Sequence, residues 1–307
     1  MIYRAVLTAI LLVTVYSAIL YVYKPEPAPQ ELFEENVVKA QHYMYDSSQQ
    51  QKDVVIGTSL SDKLCRDSIP ANVSLLTFPG QHMYDGLIIL DRMHTYPKHV
   101  FIEMNSVLNA WDTGLSSYLF HQPDYPLRQN IVMLRGGYQP EALFKKRFEG
   151  RIAMFANIFA SCLFNPAIRL LHVHNPQVIN EQFYYQKLKD KFNHATDSLA
   201  IARFSKLKVY VDKLRAGGSQ VYFFRVPVSR DFLTTRTEEL LTRYFSLYFP
   251  EGTYNYILQH PGENYSTSDG LHFDDASALR YSSVFRAELN KFYHNTLQRR
   301  GFNNATK

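Results

Sequence analysis

The sequence predicts an α/β protein built on a five-stranded parallel sheet and carried behind an N-terminal membrane helix. Three observations lead there: five short apolar runs rich in β-formers, helical periodicities alternating with them, and one long uncharged segment near the amino terminus. Of 307 residues, 46% are hydrophobic and 20% charged, which excludes disorder, collagen and coiled coil as the main architecture. Lys and Arg number 33 against 28 Asp and Glu, but they are scattered without a long basic run, so nucleic acid is not an expected partner. Cys65 and Cys162 are too few for a disulfide scaffold or a four-thiolate zinc site and make at most one bridge.

The first element is the uncharged run from Ala5 to Tyr23. Its 19 residues, at about 1.5 Å each, would reach roughly 28 Å, the hydrocarbon thickness of a bilayer. A cleaved signal peptide is the rival, because Tyr16-Ser17-Ala18 ends in small residues. The apolar stretch continues through Ile19 to Tyr23 without a polar break, which favours an uncleaved anchor over residues 1–23. Residues 24–52 follow as a stem: Pro-rich at Lys24 to Gln30, then a short helix, then the polar Ser47 to Gln51.

The strands are expected at Asp53 to Ile56, Val73 to Phe78, His99 to Met104, Gln220 to Val226 and Tyr254 to Gln259. Their continuous apolar character predicts cover on both faces. Helices are expected at Tyr84 to Met93, Leu199 to Arg215 with Gly217 as the stop, Thr237 to Tyr248, and Ala276 to Tyr293. The main domain is thus residues 53–295, with 296–307 as a tail. Residues 106–197 exceed what one crossover helix requires and read as a helical insertion. Its Trp111, Tyr118, Phe120, Tyr125, Phe144 and Phe148 fill the insertion's own core or form a substrate groove.

Chemistry is expected just beyond the strands. Gly57-Thr58-Ser59-Leu60-Ser61 follows the first strand and precedes a helix-like Asp62 to Cys65. A serine on such a strand-to-helix turn is exposed for attack, and the helix start offers N–H groups to an anionic intermediate. The Gly-Lys-Ser/Thr ending of a phosphate loop is missing. Asp269-Gly270-Leu271-His272 supplies, from one loop, an imidazole to take a serine proton and a carboxylate to orient it. The plainer alternative is a capping loop for the last helix, with Asp275 as its cap. Gly80, after the second strand, and Asn105, after the third, are suitable oxyanion donors. Open parallel sheets bind ligands at the carboxyl ends of their strands, and these elements converge there. Arg225 and Arg230, around the end of the fourth strand, would meet an anionic substrate or form ion pairs. His172-Val173-His174 offers two metal ligands without a third, so neither a metal nor a cofactor is expected. Cys65 reads as a buried small residue without a histidine to activate it.

Taken together, Ser59, Gly80, Asn105 and His272, with Asp269 three before the histidine, resemble the ordered blocks of the SGNH (GDSL-like) hydrolase superfamily. The resemblance covers about Asp53 to Tyr293, outside the insertion. It implies a three-layer α/β/α sandwich of flavodoxin-like type. It also implies acyl transfer through an acyl-serine intermediate, with the oxyanion held by Ser59 N–H, Gly80 N–H and Asn105. Two departures stand out: Thr58 where many members have aspartate, and Glu103-Met104-Asn105-Ser106 in place of Gly-x-Asn-Asp. Single-anchor members of bacterial envelopes include O-acetyltransferases of exported polysaccharide and peptidoglycan, working beside a multi-spanning membrane acyltransferase. The resemblance therefore implies an extracytoplasmic domain acting on an envelope polysaccharide. An esterase passing the acyl group to water, and a non-catalytic assembly module of the same fold, are the alternatives.

Overall fold

The computed structural model describes residues 1–109, 113–146, 181–257 and 265–305. Along the chain run α1 (Ile2–Tyr23), α2 (Leu32–Tyr45), α3 (Ser47–Gln50), β1 (Asp53–Thr58), α4 (Ser59–Asp62), β2 (Val73–Phe78), α5 (Met83–Arg92), β3 (His99–Glu103), α6 (Gly114–Leu119), α7 (Asp124–Asn130), α8 (Glu181–Asn193), α9 (Asp197–Ala216), β4 (Gln220–Phe224), α10 (Arg230–Leu233), α11 (Arg236–Tyr248), β5 (Asn255–Ile257) and α12 (Asp275–Ala305). They fall into two compact units, one of Met1–Tyr45 and Gly114–Val178, the other of Asp46–Thr113 and Ile179–Lys307.

The second unit is α/β. Its five strands are all parallel, in the order β2-β1-β3-β4-β5. Val55 sits beside Leu75 on one side and Phe101 on the other, and Ile102 pairs with Phe223. Every residue of β1 and β3 is buried, as continuous apolar runs require when helices cover both faces. One face presents Val55, Phe101, Tyr222 and Phe224 to Ala278, Tyr281, Phe285 and Leu289 of α12. The other receives α5, α9 and α11: Gly86 lies against Ile56, where a Cβ would come within 2.9 Å of the side chain, and Phe223 packs on Phe245 and Phe249. Fully burying each such Phe contributes roughly 1.5–3 kcal/mol.

Helix boundaries follow local chemistry. Thr196 accepts the Leu199 N–H to open α9, and Gly217 caps its end. Asp274 opens α12 by accepting the Ser277 N–H at 2.7 Å, so the cap lies one residue before the Asp275 expected from sequence. The helix after Ser59 begins at the serine itself and ends at Asp62; Cys65, expected on it, instead precedes a 3-10 turn, half-buried, and donates its N–H to Ser282. β3 and β4 stop short of Met104 and Val226: Met104 still donates its N–H to the Phe224 carbonyl at 2.9 Å, and beyond it a side chain takes over the pairing with Val226. Residues 258–264, at the expected end of the fifth strand, lie outside the described residues.

At the opposite end of the sheet, Asp53 joins three elements. Its carboxylate accepts the His99 N–H at 2.9 Å and the Tyr293 hydroxyl at 2.6 Å, and lies 2.9 Å from His99 Nδ1. Burial pushes the Asp53 carboxyl up, but the bonds from His99 and Tyr293 outweigh it and hold the group below its usual range.

In the first unit, α1 is long and apolar enough to cross a membrane. The segment expected to be a spacer is largely folded. Val37, Ala40, Tyr43 and Met44 line one stripe of α2 and are buried, with Leu115 and Leu119 of the neighbouring α6 buried as well. Glu34 and Gln41 accept the N–H groups of Gly137 and Gly136, and Ala28 donates to the Gly137 carbonyl at 2.8 Å. The Pro-rich stretch is thereby pinned. Of the insertion's aromatics, Phe120 is buried and packs on Tyr125, Tyr118 packs on Phe33 at the surface, and Phe144 is exposed; Trp111 and Phe148 lie outside the described residues.

Candidate active site

The strand order reverses between β1 and β3, since β1 continues to β2 on one side and β3 to β4 on the other. A crevice opens at the carboxyl ends of strands flanking such a reversal. Ser59 stands there, at the first position after β1, with Thr58 extended before it and the turn of α4 after it. Ser59 Oγ lies 2.8 Å from His272 Nε2. Asp269 Oδ2 lies 2.7 Å from His272 Nδ1, and Asp269 Oδ1 accepts the backbone N–H groups of Leu271 and His272 at 3.0 and 2.8 Å. The carboxylate thus fixes both the ring and the backbone that carries it. Partial burial pushes the Asp269 carboxyl up, but these bonds from His272 and Leu271 overcome it and keep the group below its ordinary range. A carboxylate so placed selects the tautomer with hydrogen on Nδ1, leaving Nε2 as an acceptor toward Ser59.

The histidine loop is braced from behind. Gly270 adopts φ +89°, and a Cβ there would meet Phe232 at 2.4 Å and Tyr185 at 2.7 Å. Its carbonyl accepts the Ser229 N–H, and Thr267 bridges Phe273 across the loop. Gly80 is also left-handed, at φ +71°, a conformation glycine adopts without strain.

Asn105 makes two bonds to one residue: Nδ2 donates to the Val226 carbonyl and Oδ1 accepts the Val226 N–H, both at 2.8 Å. Its side chain imitates one more rung of the β3–β4 ladder. One Nδ2 hydrogen remains for another acceptor.

Glu103 is the residue that sequence reasoning registered only as a departure. It is fully buried, yet its carboxylate accepts four donors from the serine turn. These are the Thr58 N–H at 3.0 Å, the Thr58 hydroxyl at 3.0 Å, the Ser61 N–H at 3.2 Å and the Ser61 hydroxyl at 2.6 Å. Gly57 makes room for it: a Cβ there would lie 1.9 Å from Ser61 Oγ and 2.5 Å from Glu103 Oε2. The signal in the sequence was a lone carboxylate inside an otherwise apolar strand, which needs partners to be buried.

A cavity of about 280 Å³ opens over these groups, lined by Ser59, Gly80, Asn105 and His272 together with residues from α8, α10 and α11. Arg225 and Arg230 are not among its walls. Arg225 is held in an ion pair with Glu238, and Arg230 is exposed at the start of α10. The possible metal ligands His172 and His174, and Cys162, lie outside the described residues.

Fold and site together define an α/β protein in which a serine, a histidine and an aspartate form a hydrogen-bonded relay at the switch point of a parallel sheet. No protein-family model matches the chain, and no curated protein sequence matches it.

Proposed function

We propose that the chain is a serine acyl-transfer enzyme with the three-layer sandwich of SGNH hydrolases, anchored by α1 with its catalytic domain outside the cytoplasm. The observation that carries this reading is the relay: Ser59 to His272 at 2.8 Å and His272 to Asp269 at 2.7 Å. The strand order and the placement of Gly80 and Asn105 beside Ser59 support it. An assembly module without catalysis has no need of such a contact.

Ser59 Oγ attacks the ester carbonyl while His272 Nε2 takes its proton. The tetrahedral oxyanion is held by the N–H groups of Ser59 and Gly80 and by the remaining hydrogen of Asn105. As the bond to the leaving oxygen breaks, His272 returns the proton to that oxygen. A second hydroxyl, deprotonated by His272, then attacks the acyl-serine, and His272 returns that proton to Ser59 Oγ as the acyl–oxygen bond breaks. A sugar hydroxyl of an envelope or exported polysaccharide is the proposed acceptor, and a multi-spanning membrane acyltransferase the proposed donor. Transfer to water gives the esterase reaction of the same site.

Replacing Ser59 with Ala or His272 with Ala should reduce ester turnover by roughly 10⁶-fold while the protein stays folded. The purified variants and their labelling by a serine-reactive phosphonate test this. More than a tenth of the activity left in Ser59→Ala would remove Ser59 as the nucleophile.

A further inference from the structure

Resting on the acyl-transfer reading, we propose that Ser59 carries an uncharged aliphatic acyl chain of roughly four to eight carbons, bound in the half of the cavity built by the segments after β4 and β5. The sheet order gives the cavity two unlike sides. The segments after β2 and β3 contribute Gln81, His82, Asn105 and Asn109. Those after β4 and β5 contribute Val228, Phe232, Leu241 and Leu271 beside Glu238 and the catalytic His272, and α8 adds Leu188 and Phe192 with Lys191. Ser59, just after β1, which lies between β2 and β3, has the polar side next to it and the apolar side toward β4.

The apolar walls are part of the core. Phe232, Leu241 and Leu271 are only 1%, 3% and 8% exposed, and Phe192 packs its ring edge-on to Phe232 at 5.1 Å. These apolar side chains offer nothing to a hydroxyl or an ammonium group and gain from every methylene that covers them. Of the charged residues in the lining, Glu238 is paired with Arg225, and Lys191 is exposed. Size points the same way. A cavity of about 280 Å³, shared between acyl chain and alcohol, still leaves room for several methylenes beyond an acetyl group, since a methylene takes about the 30 Å³ that a water molecule occupies in the liquid. The polar side then receives the alcohol, as leaving group or acceptor.

The test uses the full chain in detergent with p-nitrophenyl acetate, butyrate, hexanoate and octanoate, and with an ester bearing an α-ammonium acyl group. The expected result is a kcat/KM that rises about fourfold per methylene from acetate to hexanoate. Leu188→Trp, which fills the apolar side, should lower the hexanoate-to-acetate ratio at least tenfold. Phe192→Ala, which enlarges that side, should move the optimum toward octanoate, and it serves if the first variant fails to fold. Acetate as the fastest ester, a faster ammonium ester, or ratios unchanged in both variants would overturn the assignment. If no ester is hydrolysed and a short ethyl phosphonate leaves Ser59 unlabelled, the acyl-transfer reading fails and this inference falls with it. Labelling of Ser59 alongside an acetate preference strikes the inference alone.

Discussion

Glu103 is the most constrained polar residue of the site, since four donors converge on one carboxylate that water cannot reach. It touches the turn on both sides of Ser59 and has no place on the cavity wall, which makes it a positioning residue. Glu103→Gln keeps the volume but turns one acceptor into a donor facing donors. Stability should fall by about 1–3 kcal/mol, and kcat by about 10²-fold with KM nearly unchanged, because the serine loses its alignment but the cavity does not change. Urea unfolding and steady-state kinetics check both, and a change confined to KM would place Glu103 against the substrate instead. At this scale much of the site was legible. Ser59, Asp269 and His272 could be placed because Gly-x-Ser after a strand and Asp-x-x-His before a helix are local patterns. The role of Glu103 could not be seen, because its partners lie more than forty positions away and only the register of β1 on β3 brings them together. For Arg225 the sequence offered an ion pair beside a substrate contact, and the ion pair is what forms, though its partner Glu238 could not be named because it sits on another element.

The elements themselves were read nearly to the residue wherever an apolar run ended in punctuation, as β2 does and as α9 does at Gly217. The stem was legible as Pro-rich but not as packed, since the stripe of α2 becomes meaningful only against the residues that α6 supplies. Element junctions also carry the molecule's response to acid. Asp53 links the starts of β1 and β3 to α12, with His99, Tyr293 and the Tyr222 ring around it. Its carboxyl titrates lower in the folded than in the unfolded chain, so its stabilisation is complete above the unfolded value near pH 4 and disappears as the pH falls through the folded value. Asp53→Asn should therefore lower Tm at pH 7, and the gap between the two Tm curves should close below about pH 4. Parallel curves down to low pH would show that Asp53 stabilises only by shape.

At the scale of the whole molecule, where the apolar α1 is removed decides what stays folded. A chain beginning at Pro25 keeps Ala28 on Gly137 and α2 in place, whereas one beginning at Asp53 strips α2 from its own unit and bares Leu115 and Leu119. The Pro25 form should leave the membrane fraction and hydrolyse small esters with kcat/KM within about twofold of the intact protein. Exported to the same compartment, it should fail to restore acylation of the proposed polymer acceptor, because tethering supplies an effective concentration on the order of millimolar near the proposed membrane donor. Full restoration, read by mass spectrometry of envelope glycans, would favour a free esterase. One further consequence follows from α12. Its first turn is clamped by Asp274, two residues from His272, and Tyr293, roughly 27 Å further along, is clamped by Asp53 at the far end of the sheet. The stretch of helix between them is therefore a lever loaded at two points, and a small pivot between those points would part Ser59 from His272 at one as it loosens Asp53 at the other.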